Sequence, residues 1–283
     1  MPDASVHHRR PSVWSRLIRD SGGVVGLVIV ILVLLIAAIG PFLAPYGVAQ
    51  SDLTNRLAGP SAAHLLGTDE LGQDLLSRVL VGTRVTVYVA GTSVLLASII
   101  GVTVGAICGY FGGWFDGIVM RVVDVMFAFP AILLALLIVA VLGPGLNQLI
   151  IAITLVYIPA FARVSRGVAL SVRRELYIEA AYAIGLPVWK TIVRYVIPNI
   201  LSPVMVLFTV TLASGVLVEA TLSFLGLGVQ PPEPSWGNML NAGKAFMELS
   251  PWGVLVPGGA LVVTMLGLNL LGDSLRDILD PRL

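Results

Sequence analysis

Charged side chains are scarce in this chain: Asp, Glu, Lys and Arg make up 12% of 283 residues, while 57% are apolar. A soluble domain of this size carries roughly twice that charge, so a water-facing globule is excluded and a chain that crosses a bilayer several times is implied. The mean hydropathy of +0.95 points the same way. A formal net charge of +1 leaves no basic surplus with which to hold nucleic acid. There is one cysteine, Cys108, set in an apolar run; it has no partner within the chain for a disulfide and is expected to act as a small packing residue. The three histidines, His7, His8 and His64, lie outside the apolar runs. Neither a His-Glu-x-x-His nor a paired-cysteine spacing is present, so no metal site is expected. A nucleotide loop is also lacking: from Gly237 to Lys244 the gap is one residue too long, and Ala245 stands where a hydroxyl is needed. Without a nucleophile and base pair, the chain is expected not to be an enzyme and to carry no cofactor of its own.

What the chain does have is long apolar runs. Thirty-one uncharged residues separate Asp20 from Asp52, and Val24 to Ala44 suffices to span about 30 Å of hydrocarbon. This is read as an uncleaved first span, because a signal peptide has an apolar region of only about 7 to 15 residues followed by a small-x-small site. Ahead of it, Arg9, Arg10, Arg16 and Arg19 beside Trp14 predict a short basic segment at the membrane surface. Further spans are expected over Val85 to Phe115, Asp124 to Leu142, Asn147 to Arg163, Ile200 to Thr221 and Gly253 to Gly272, with Gly143-Pro144-Gly145 as a tight turn between the third and fourth. Pro130 and Pro159 are expected as tolerated kinks. Six spans place both termini on one side. Thirteen basic residues fall on that side against four on the other, Arg56, Arg78, Arg84 and Lys244, which makes the first side cytoplasmic by the positive-inside rule.

The long polar-flanked insert on that side runs from Glu179 to Pro198. Leu176, Tyr177, Ala180, Ala181 and Ile184 form a stripe of helical period, opposite Arg173, Arg174, Glu175 and Glu179. An amphipathic helix of about three turns is predicted. Gly185 then serves as a left-handed C-cap, Pro187 sits in the first turn of a second helix, and Pro198 is expected to end that helix. This stretch resembles the EAA loop of ABC importer permeases: Glu179, Ala180 and Ala181, then Gly185 and, after a gap, Ile197-Pro198. Gly67-Thr68-Asp69-Glu70-Leu71-Gly72, Glu219 to Gly228, Pro234 to Met239 and the closing Gly272 to Asp277 with Leu279 to Arg282 are similar to the dipeptide and oligopeptide branch of that family. Related chains usually carry arginine at Gln73 and often histidine at Tyr195.

The resemblance implies an all-α, type I importer permease fold, with a first part over residues 1–84 and a permease domain over 85–283 that contains a coupling hairpin at 166–198. It implies ATPase coupling through Glu179, Ala180, Ala181, Gly185 and Leu186. The implied partners are a second homologous permease, two ATPase subunits that bind ATP and Mg, an extracytoplasmic solute-binding protein and a peptide substrate, in a bacterial inner membrane. Nickel complexes and glutathione are alternative substrates. Trp236 marks a loop that either docks the binding protein or simply packs. Thr68 is expected to cap a helix with Asp69 and Glu70 in its first turn. Glu219 is the one carboxylate well inside a span, where it costs on the order of 2 to 3 kcal/mol unless its surroundings are polar. It either lines the substrate path or makes a structural or interfacial hydrogen bond. A self-sufficient channel or secondary transporter is the rival reading; it needs ion-coupling groups or paired broken helices, and Glu219 alone is placed to serve it.

Overall fold

The structure, a computed structural model, describes residues 20–279. The basic segment expected before Asp20, with His7 and His8, and the closing Asp280 to Arg282 lie outside the described residues. The first helix, α1 (Ser21–Leu43), begins where Asp20 can cap it: the carboxylate accepts the Gly23 N–H at 2.9 Å. Its 23 residues reach about 35 Å.

The connection after α1 departs from expectation. Thr68 does not cap a helix; its hydroxyl accepts from the Ala58 N–H and donates to the Asn55 carbonyl, holding a folded loop. The Asp69 carboxylate accepts the N–H groups of Leu71 and Gln73, and this local turn competes successfully with helix formation. The helix starts instead after Asp74, which accepts the Ser77 N–H at 2.8 Å. Helix α2 (Leu75–Phe111) therefore has 37 residues, about 55 Å, and the division drawn between residues 84 and 85 falls inside it.

Helix α2 packs along α5 (Leu146–Val172), which runs on past Arg163, where the fourth span was expected to end. Gly101, Gly105 and Gly109 make this contact possible. A Cβ at Gly101 would stand 2.7 Å from the Ile158 carbonyl, one at Gly109 2.6 Å from the Arg166 carbonyl, and one at Gly105 would overlap the Ala162 carbonyl. Small residues four apart thus let two backbones touch.

Between these helices the third crossing is broken. Helices α3 (Gly113–Phe127) and α4 (Ala131–Leu142) meet at 94°, so Pro130 interrupts the span rather than kinking it. Proline cannot donate to the Met126 carbonyl and drives Phe129 out of helical geometry, and both Phe129 and Pro130 are exposed. Pro159, by contrast, is buried inside an uninterrupted α5.

After α5 come α6 (Leu176–Ala183), α7 (Val188–Phe224), α8 (Trp236–Gly243) and α9 (Trp252–Leu279). Pro198 does not end a helix. The residues just before it, Ile192–Val196, form a π turn in which the Ile197 N–H reaches back to the Ile192 carbonyl. That wider turn accommodates the donor that Pro198 lacks, so α7 continues for 37 residues. Five helices, α1, α2, α5, α7 and α9, are long and apolar enough to cross a membrane, and α3 with α4 makes a sixth where the bent pair is counted as one span. Among the described residues there is no strand, only an isolated bridge between Thr68 and Asp74. The core falls into three apolar groups: around Leu149, Ile153 and Leu222; around Phe161, Ile178 and Ile200; and around Trp236, Val216 and Leu261.

Candidate coupling site

The hairpin is built from the C-terminal end of α5. Arg173 closes that helix by donating its N–H to the Ala169 carbonyl at 3.0 Å, and the chain turns through Glu175 into α6. The new helix has 8 residues, about two turns rather than three. Glu179 lies in its first turn, where the helix dipole favours a carboxylate. At the other end Gly185 has φ +72°, with the Gly185 N–H on the Tyr182 carbonyl at 2.9 Å and the Leu186 N–H on the Ala181 carbonyl at 3.0 Å. These two bonds form a complete Schellman motif. Pro187 then stands immediately before α7 in extended geometry rather than within its first turn.

The sequence stripe does not describe the inward face of α6. The buried residues are Ile178 and Ala181, of which Ile178 packs into the apolar group that includes Val172, Val196 and Ile200. Of the residues in the stripe, Leu176 is 79% exposed and Ile184 78% exposed, and on α7 Trp189 is 63% exposed. The hairpin therefore has apolar residues on two faces, one satisfied within the chain and one not. Glu179, Ala180 and Gly185 are on the exposed part and Leu186 is half-buried, so the five sequence-predicted coupling residues share one short element but not one face. Two aromatic contacts, which the sequence reading missed, brace the element: Tyr182 stacks on Tyr110 of α2 at 6.4 Å, and Tyr177 meets Tyr195 of α7 at 5.8 Å. Tyr195, singled out in the sequence as a departure, thus has a packing partner in the hairpin itself.

The opposite end of the bundle holds the remaining candidates. Glu219 is 0% exposed, and one carboxylate oxygen accepts from the Ser223 hydroxyl at 2.7 Å. The other has no direct partner, and the nearby hydroxyls are those of Thr86 and Ser235. Trp236 is also buried, at 1% exposed: its N–H lies 3.4 Å from the Thr86 hydroxyl and its indole N–H 3.4 Å from the Val79 carbonyl. The Trp236 side chain thus packs within the chain, and α8, capped reciprocally by Ser235 and Asn238, is pinned to α2 and α7 through it. Gln73 is buried beside Arg78, which also lies 3.4 Å from Asp69, so a cation stands next to the position where related chains carry one. A cavity of about 500 Å³ lined in part by Gln73, Arg78, Gln230, Glu233 and Asn238 opens at this end. Among the described residues no cluster of His, Cys, Asp or Glu is arranged to hold a metal.

A helical bundle with five to six membrane-spanning helices and a hairpin between α5 and α7 defines a multi-pass membrane protein. The chain belongs to the family of binding-protein-dependent transport system inner membrane components, whose model matches residues 101–283. Residues 12–60 match the N-terminal transmembrane domain of oligopeptide transport permease C. It is 42% identical to a glutathione transport system permease protein of Pectobacterium atrosepticum over 282 residues, 99% of this chain and 94% of that one. It is 42% identical to a dipeptide transport system permease protein of Alkalihalophilus pseudofirmus over 270 residues, 95% of this chain and 89% of the relative. A glutathione transport system permease protein of Shigella sonnei is 41% identical over 271 residues, with the same coverage of each chain, 95% and 89%. Members of this family are the non-catalytic, multi-pass inner-membrane subunits of ABC importers. The rival reading of a self-sufficient transporter is thereby set aside.

Proposed function

We propose that this chain is one of two permease subunits in an importer of short peptides, with both termini and the α6 hairpin in the cytoplasm, and that the hairpin seats in an ATPase subunit. The observation that carries this reading is the unsatisfied face of the hairpin. Leu176, Ile184 and Trp189 stand out from the end of the bundle that also holds Arg173, Arg174, Lys190 and Arg194. The basic surplus supports a cytoplasmic placement, where ATP is available. Exposed apolar residues rimmed by charge are the ordinary make-up of a protein contact. Glu179, Ala180, Ala181, Gly185 and Leu186 are the coupling segment in this reading: Ala181 and Gly185 set its shape, and Glu179 and Ala180 meet the partner.

ATP and Mg are bound by the two ATPase subunits, and a solute-binding protein delivers substrate to the opposite end. There α8 and its flanking loop, anchored by Trp236, form the receiving surface, and Glu219 holds that surface in place rather than touching solute. The chain falls into an N-terminal part and a permease domain, which contains the hairpin. The substrate is a di- or oligopeptide. Glutathione is the second reading, favoured by the relatives that carry that name over nearly the whole chain. Reconstitution with the partner subunits in vesicles, followed by uptake of a radiolabelled dipeptide or of glutathione with and without ATP, tests both. Accumulation that needs no nucleotide would overturn the coupling reading. ATP-dependent accumulation of glutathione alone would overturn the dipeptide.

A further inference from the structure

Helix α3 is, like α1 and α4, a poorly buried element. Only Asp116 and Val123 of its 15 residues are buried. Trp114, Ile118, Val122 and Val125 are 78%, 56%, 58% and 57% exposed. Little apolar packing therefore holds it, and its side-chain hydrogen bonds to α5 are ion pairs, one partly buried at Asp116 and one exposed at Asp124. The Asp116 carboxylate accepts both limbs of the Arg166 guanidinium, at 2.5 and 2.6 Å, a two-pronged geometry that fixes orientation as well as distance. Two turns further along α3, Asp124 accepts from Arg163 at 2.8 Å, and the same guanidinium lies 4.0 Å above the Phe127 ring. Both arginines project from α5, the helix that leads directly into the hairpin. Arg173, at the mouth of the hairpin, donates to the Phe111 carbonyl at 3.2 Å, just before α3 begins. The other half of the broken crossing is held differently: Ala135 and Val139 of α4 pack with Leu149 and Ile153 at the far end of α5.

We propose that Asp116 and Asp124 clamp α3 to Arg166 and Arg163 of α5, so that α3 travels with the hairpin while the break at residues 128–130 flexes, which makes Asp116 and Arg166 positioning residues for energy coupling. This rests on the proposed seating of the hairpin in an ATPase. A displacement of the hairpin tilts α5; the clamp carries α3 with it; and the exposed, non-helical segment Ala128-Phe129-Pro130 absorbs the change of angle against α4. An apolar contact could serve to fold the protein equally well. A bidentate ion pair also resists rotation of α3 about its own axis, which a transmitting contact requires.

The test uses the complete complex in vesicles, with whichever of a radiolabelled dipeptide and glutathione the unaltered complex accumulates. Asp116→Asn and Arg166→Gln should assemble and hydrolyse ATP, with solute accumulated per ATP reduced about fivefold or more, within the range of ordinary coupling energies. The exchange Asp116→Arg with Arg166→Asp should regain most of the loss. An unchanged ratio in the single variants, or an assembled exchange variant with no recovery, would overturn the clamp. Should the single variants fail to assemble, spin-label distances decide. Labels at Gly117 and Gly167, where an added side chain meets nothing within 4 Å, should keep their separation between nucleotide-free and ATP-trapped complexes, while Gly117 to Val141 changes. A Gly117 to Gly167 distance that changes as much would also overturn it. If the unaltered complex shows no ATP-driven uptake, the coupling reading itself fails, and that control separates the two failures.

Discussion

The Leu186 N–H donates to the Ala181 carbonyl across Gly185, so the exposed tip of the hairpin is set by a glycine held at φ +72°. A β-branched residue in that conformation costs roughly 1 to 2 kcal/mol and opens the motif. Gly185→Val should leave the bundle inserted and abolish ATP-dependent uptake, with ATPase subunits either lost on purification or retained but uncoupled. Gly185→Asn, which tolerates left-handed geometry better, should retain more transport. Full uptake by the valine variant would count against the hairpin as the coupling element.

The two faces of α6 make a paired prediction. Ile178 is fully buried, and Ile178→Ala should lower stability in detergent by about 2 to 5 kcal/mol through lost packing and a cavity. Ile184 is 78% exposed, so Ile184→Ser should leave thermal stability within about 0.5 kcal/mol of the parent while reducing capture of the ATPase subunits. Thermal unfolding and co-purification separate the two effects. An Ile184→Ser variant that retains its ATPase partners would remove the outward face from the contact.

The α2–α5 interface predicts a contrast between glycines on one helix. Gly105→Leu would drive a side chain into the Ala162 backbone and should prevent folding or assembly. Gly91→Ala, which meets nothing within 4 Å, should be neutral in expression and melting temperature. Equal effects at the two positions would show that the close approach is not what the glycines provide.

For Glu219, replacement by glutamine preserves an oxygen to accept from Ser223, so uptake should persist at normal assembly. Glu219→Ala should lower stability, because it removes the acceptor of the buried Ser223 hydroxyl on α7, at a cost of about 1 to 3 kcal/mol. Uptake lost in the glutamine variant with assembly intact would restore the substrate-path role.

Much of this arrangement was legible because the signals were local. The uncharged runs mark the spans, Asp20 marks the start of α1, and Gly185 marks the tip of the hairpin. The departures arise where a distant or competing partner decides. Thr68 and Asp69 look like a helix start, but Asn55, Ala58 and the Gln73 N–H capture them, and the helix waits for Asp74. Pro130 and Pro159 read alike in sequence, yet one breaks a helix and the other is buried without effect, while Pro198, expected to end a helix, is absorbed by a wide turn. The inward face of α6 is not legible, because Leu176 to Ile184 is apolar on two sides and periodicity does not say which side the rest of the chain will cover. The Asp116 and Arg166 pair, fifty positions apart, leaves no trace in spacing at all.

The π turn at Ile192–Val196 has a geometric corollary. Each residue added to or removed from a helix turns everything beyond it by about 100°. The wide turn closes one revolution with a residue to spare, so deleting one residue there would restore an ordinary turn and leave Trp189 and α6 close to their present bearing. Deleting one outside it, between Ile197 and Ile200, would instead swing the hairpin by about 100°, so the compass bearing on which it points away from the bundle tolerates a lost residue only at the wide turn.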